Sequence, residues 1–115
     1  MMYPTEKVCR ISIQKLLEYN DPFTLLGITE QDVFSCKKDK EYLSEQKRTK
    51  RYHGGRVLYF VNQIKSRKKL DSILIEFWQE TDASDPIILV YNGLHRLAAC
   101  ILTGRKLINS IEMEK

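Results

Sequence analysis

The passage from Pro86 to Ile108 constrains the fold more than any other part of the chain. Ile87-Ile88-Leu89-Val90-Tyr91 is an unbroken run of β-formers, opened by Pro86, which is tolerated at a first strand position where no ladder donor is needed. Asn92-Gly93 breaks the run, and Leu94, Leu97, Ala98, Ile101 and Leu102 then fall on one face of a helix. Gly104 stands where a left-handed C-cap is expected, and Leu107 to Met113 alternates like a strand. A strand that enters a helix without a loop and returns as a strand demands a sheet with a helix packed on it.

The upstream half is read in the same way. Cys9, Ile11 and Ile13 would share one face of a strand over Lys7–Ile13, and a helical turn through Gln14–Tyr19 would stop at Asn20-Asp21-Pro22. Thr29 is a capable N-cap with Glu30 and Asp32 in the first turn, which predicts a helix through Val33, Phe34 and Leu43 toward Gln46. The Tyr52-His53-Gly54-Gly55 stretch predicts a turn, because paired glycines punctuate structure. Val57, Phe60, Val61 and Ile64 then recur at helical spacing, which predicts a helix from about Gly55 to Ser66. Ser72–Trp78 reads as a strand covered on both sides, with a polar connection from Gln79 to Asp85.

The 115 residues make one domain by size, so the expectation is a single small α/β (α+β) domain over 1–115, a mixed sheet with helices packed on it. With 43% hydrophobic and 30% charged residues and no apolar run approaching the roughly 20 residues of a membrane span, no membrane is expected. The N-terminus has no signal-peptide pattern, and Cys9, Cys36 and Cys100 are odd in number and widely spaced. A cytoplasmic protein without a zinc site or disulfide framework is the expectation.

The junction Asn92-Gly93-Leu94-His95-Arg96 carries the chemistry. A helix start exposes backbone N–H groups with no intrahelical partner, beside the positive end of the helix dipole, and an anion can sit there. Asn92 can cap the helix with its side-chain oxygen, Gly93 lets the backbone approach a phosphate, and His95 and Arg96 add donors, Arg96 in a bidentate fork. The competing reading is an ordinary turn, with Arg96 on a solvated face and His95 bonded to a loop.

The run Pro86–Ile108 resembles the signature of the ParB-like/sulfiredoxin superfamily: a strand, Asp-Gly-x-His-Arg, a helix containing Ala-Ala, a glycine, and an isoleucine-led strand. The Gly55-Arg56-Val57 helix and the Leu70–Phe77 strand resemble that family's lead-in, so the likeness spans about 54–112, while Met1–His53 matches loosely. Members bind CTP and centromere DNA, use ATP to repair oxidised cysteine, phosphorylate free serine, or are proposed nucleases. The resemblance implies that Gly93, His95 and Arg96 contact nucleotide or nucleic-acid phosphate, with a nucleoside triphosphate and Mg2+ as the cofactor pair and a phage- or plasmid-borne origin.

Three departures shape what carries over. Leu94 stands where sulfiredoxin has its reactive cysteine, so sulfinic-acid reduction is not expected, and Cys100, about two turns on, reads as a buried small residue. Asn92 replaces the family's frequent aspartate, which removes a carboxylate that metal binding or base catalysis would use. With the sequence ending at Lys115, a complete ParB partition protein with helical DNA-binding and dimerisation domains is not expected.

A second candidate is the basic segment 35–56, with eight Lys or Arg against three acids, a local net of +5. Lys47, Arg48, Lys50, Arg51, His53 and Arg56 are its candidate nucleic-acid contacts, with Tyr42 and Tyr52 available for stacking. A solvated helix face explains it equally well, since Glu41 and Glu45 can pair with Lys37, Lys38 or Arg48. Phe77 and Trp78 read as core and sheet-face residues, and Glu76, Glu80, Asp82 and Asp85 as loop carboxylates. Three functions stay open: a phosphate-recognising binding module; a nucleotide hydrolase, small-molecule kinase or nuclease using the same site with an unidentified catalytic carboxylate; and a protein-interaction or inhibitor module that has lost the site.

Overall fold

A computed structural model describes residues 2–36, 41–79 and 81–114. Strand β1 (Tyr3–Ser12) leads into three short helices, α1 (Ile13–Leu16), α2 (Pro22–Leu26) and α3 (Glu30–Phe34), and a 3-10 turn at Glu41–Ser44. The long helix α4 (Lys50–Lys65) precedes β2 (Ile73–Trp78) and β3 (Ile87–Asn92), and α5 (Leu94–Leu102) leads to β4 (Leu107–Glu114). The strands form one four-stranded sheet in the order β1-β4-β2-β3. β4 runs antiparallel to β1 and parallel to β2, and β2 runs antiparallel to β3, so the fold is a mixed α/β arrangement as expected.

Helix α5 is buried on two sides. Leu97 and Cys100 join Ile73, Ile75, Ile88 and Ile108 of the sheet and Leu16 of α1 in one apolar cluster. Ala98 and Ala99 belong to a second cluster, with Val57 and Val61 of α4, Ile28 and Val33. The Ala-Ala pair thus marks the side on which α4 lies close, since small side chains let helices approach.

Three expectations about local structure need correction. The helix predicted from Thr29 toward Gln46 has its capping box, Thr29 Oγ1 accepting from Asp32 N–H and the Asp32 carboxylate accepting from Thr29 N–H at 2.8 Å, but it ends at Phe34. Leu43, which would have extended its apolar face, is 68% exposed, so no burial supports further turns. Lys37, Lys38 and Lys40 lie outside the described residues.

The Gly54-Gly55 pair is no turn. Both glycines are buried inside α4, which begins at Lys50 under a Thr49 cap. A Cβ on Gly54 would stand 2.6 Å from the Asp32 carbonyl oxygen, and one on Gly55 would stand 2.8 Å from Tyr42 Cβ. The missing side chains let α3 and the 3-10 turn press against α4.

Asn20 lies where the first helical segment has stopped, as expected, and is also a buried clamp. Its Nδ2 donates to the carbonyls of Leu16 at 2.8 Å and Ile88 at 2.7 Å, and its Oδ1 accepts from Val90 N–H at 2.9 Å. An amide thereby satisfies the open side of β3, an edge strand, from the turn that follows α1. Asp21 caps α2 with Pro22 in its first turn. Finally, β2 is covered only at Ile73 and Ile75; Phe77 and Trp78 are exposed, and the Trp78 indole donates to Glu76.

Candidate phosphate site at the start of helix α5

Strand β3 keeps its ladder as far as Asn92, which pairs with Leu74, so the helix cap falls one residue later than expected. Gly93 holds the N-cap position at φ 119, and no side chain caps the first turn. Asn92 is the residue before the cap, which is why its amide does not reach the helix N–H groups. Gly93 is required on two counts: its φ disfavours side chains, and a Cβ would stand 2.5 Å from Ile73 Cγ2.

Beside this turn, α4 delivers three further groups. His53 Nδ1 lies 2.8 Å from His95 Nε2, and the two rings stack with centroids 5.0 Å apart. Tyr52 meets both rings edge-on, and Arg56 Nη1 donates to the Tyr52 hydroxyl at 3.3 Å. His53, expected in a loop, is helical because α4 starts before the glycines.

Burial first, then the Arg56 charge, with smaller contributions from His53 and Arg96, pushes the His95 pKa down to about 3. Burial and Arg56 also lower that of His53. Both imidazoles are therefore held toward the neutral form, in which one ring N–H donates to the other ring's bare nitrogen.

Arg96 is half-buried, and its Nη1 donates to the Ser72 carbonyl at 3.0 Å. Burial lowers its pKa and the Asp71 charge raises it, so Asp71 is its electrostatic counterpart. Nη2 lies 3.3 Å from where a Gly93 Cβ would be, which places the guanidinium over the glycine. One of the five guanidinium donors serves the Ser72 bond, and the fork keeps others for a ligand.

These groups line a cleft of about 210 Å3 formed by Leu26, Arg56, Phe60, Tyr91 and the run Asn92–Arg96. No carboxylate is among the described residues that line it. Its volume lies below the roughly 300 Å3 at which pockets begin to enclose drug-sized ligands.

Of the sequence candidates, the structure brings Asn92, Gly93, His95, Arg96, His53 and Arg56 together. It does not bring in Lys47, Arg48, Lys50 or Arg51, which are exposed; Arg51 pairs with Glu45 at 3.6 Å in a separate hollow with Ser35 and Cys36. Tyr42 and Tyr52 are half-buried and edge-on to one another. Sequence reasoning missed the Asp71–Ser72 partner of Arg96 and the lining by Leu26, Phe60 and Tyr91, which no local pattern signals.

Cys100 is a core residue with its thiol pKa raised by burial, as expected from its position. Among the described residues no group of three His, Cys, Asp or Glu is arranged to hold a metal, and no helix is long and apolar enough to cross a membrane. Glu80 lies outside the described residues. Comparison with protein-family models, with curated proteins and with solved structures finds no match to the chain.

Proposed function

We propose that the chain is a phosphate-recognising domain of the ParB/sulfiredoxin-like type that binds a nucleotide or nucleic acid at the start of α5. The observation that carries the reading is the cleft itself: Gly93, His95, Arg96 and Arg56 converge on a hollow of about 210 Å3 with no carboxylate among its described lining residues. A helix start, a guanidinium and imidazole donors are the groups that anion recognition uses. Three free cysteines, Cys9, Cys36 and Cys100, agree with a cytoplasmic setting.

Binding without turnover is the simpler form of this reading, because Mg2+-dependent phosphoryl transfer needs carboxylates that the described cleft residues do not supply.

A thermal-shift screen against ATP, CTP, GTP, their diphosphates and short DNA, each with and without Mg2+, tests the proposal. A ligand that binds only the native state raises the melting temperature by mass action. The reading expects a shift with at least one phosphate ligand and a smaller one in Arg96→Lys; no shift with any of them sinks it.

A further inference from the structure

Positive charge gathers a second time where α4 and α5 both end. After α4, Arg67 takes a left-handed conformation (φ 58), and Lys68 N–H closes back on the Gln63 carbonyl at 3.0 Å. Glycine is the usual occupant of such a position, so an arginine there is a backbone conformation held at a cost. Helix α5 ends with Gly104 in the same region (φ 75), and Arg105 N–H bonds to the Cys100 carbonyl at 3.0 Å.

The two endings meet. Arg67, Lys68, Lys69 and Arg105 line a hollow of about 230 Å3 with Asp71 and Asn109. The four cations are exposed, and none forms an ion pair with a described residue. Asp71, the carboxylate among these lining residues, is the group whose charge acts on Arg96. Cations at helix C-termini offset the macrodipole, yet Lys65 already serves the last turn of α4, and three more follow in sequence beyond its cap.

The same loop reaches the α5 cleft, because Ser72, directly after Asp71, accepts from Arg96. Two cation-lined hollows joined by one loop suit a polymer of regularly spaced phosphates.

We propose that Arg67, Lys68, Lys69 and Arg105 form a second phosphate-contact site, over which a nucleic-acid strand runs from the start of α5. The substrate class rests on the phosphate reading of the α5 cleft, whereas the second site stands on its own residues.

The test is a salt series of anisotropy titrations with a fluorescein-labelled single-stranded oligonucleotide of about 20 residues, over roughly 50 to 300 mM NaCl. Each phosphate contact to a single strand contributes about 0.7 to the slope of log K against log salt, so the triple variant Lys68→Ala/Lys69→Ala/Arg105→Ala should lose about 2. Its melting temperature and its pyrophosphate-induced amide shifts at Leu94–Arg96 should stay as in wild type. Arg67→Gly should raise the melting temperature and weaken strand binding together, an opposition that a purely structural role for Arg67 would not produce.

A wild-type slope in the triple variant overturns the second site, and so does binding to phosphatidylserine vesicles with none to the oligonucleotide. The two readings fail separately. If the triple variant loses slope while Arg96→Lys binds as wild type, the second site stands and the α5 reading falls; the reverse pattern removes the second site alone.

Discussion

His53 Nδ1 and His95 Nε2 stand 2.8 Å apart although 42 residues separate them in the chain, so one hydrogen bond ties the first turns of α4 to the first turn of α5. The bond needs a bare nitrogen on one ring, and burial keeps both rings below their ordinary pKa of 6.5.

Stability should therefore depend on pH in a defined window. The unfolded chain takes up protons near pH 6.5 that the folded His95 refuses until about pH 3, so stability is full above 6.5 and falls as pH drops from there toward 3. Asp32, held below its ordinary 3.8 chiefly by the Thr29 N–H, adds its own loss only at the acid end of this range. Urea midpoints should fall between about pH 7 and 4.5 in wild type and less steeply in His95→Gln; equal slopes would remove His95 from the pH dependence.

Asn20 should be among the costliest single side chains to remove. Asn20→Ala breaks three hydrogen bonds and leaves the carbonyl of Ile88 and the N–H of Val90 without that partner, a loss of about 3 kcal/mol by the usual value per bond. Asn20→Asp keeps the acceptor for Val90 and loses both donors, so it should also destabilise. Urea denaturation measures both, and a change of less than about 0.5 kcal/mol in Asn20→Ala would contradict the clamp.

Gly54→Ala separates a helix interior from a turn. In an exposed helix the change would stabilise by about 1 kcal/mol. Here the new Cβ meets the Asp32 carbonyl at 2.6 Å, and overpacking of this kind costs about 1 to 3 kcal/mol. Net destabilisation in urea supports the close packing of α3 on α4; stabilisation contradicts it.

What was legible in the sequence follows from what each residue's role depends on. The strand at Ile87–Tyr91, helix α5 and the cap at Gly104 were readable because periodicity and turn chemistry are local. Gly54-Gly55 was misread because the same dipeptide serves a turn or a tight helix contact, and only the neighbour, 22 residues away at Asp32, decides. Asn20 binds a strand 68 residues on, and His53 reaches His95 only because α4 starts earlier than its apolar spacing suggests. At the site, the Gly-x-His-Arg core was visible, while the assignment of the cap to Asn92 missed by one residue because the β2–β3 ladder extends through it.

The central claim is that phosphate binds at the start of α5, and an NMR titration of 15N-labelled protein with pyrophosphate tests it most directly. The account predicts saturable shifts of the Leu94, His95 and Arg96 amides, with affinity reduced roughly 5- to 150-fold in Arg96→Lys, as expected for about 1 to 3 kcal/mol from a lost charge-assisted fork. Saturable binding that leaves those three amides unmoved, or no binding at all, would contradict it.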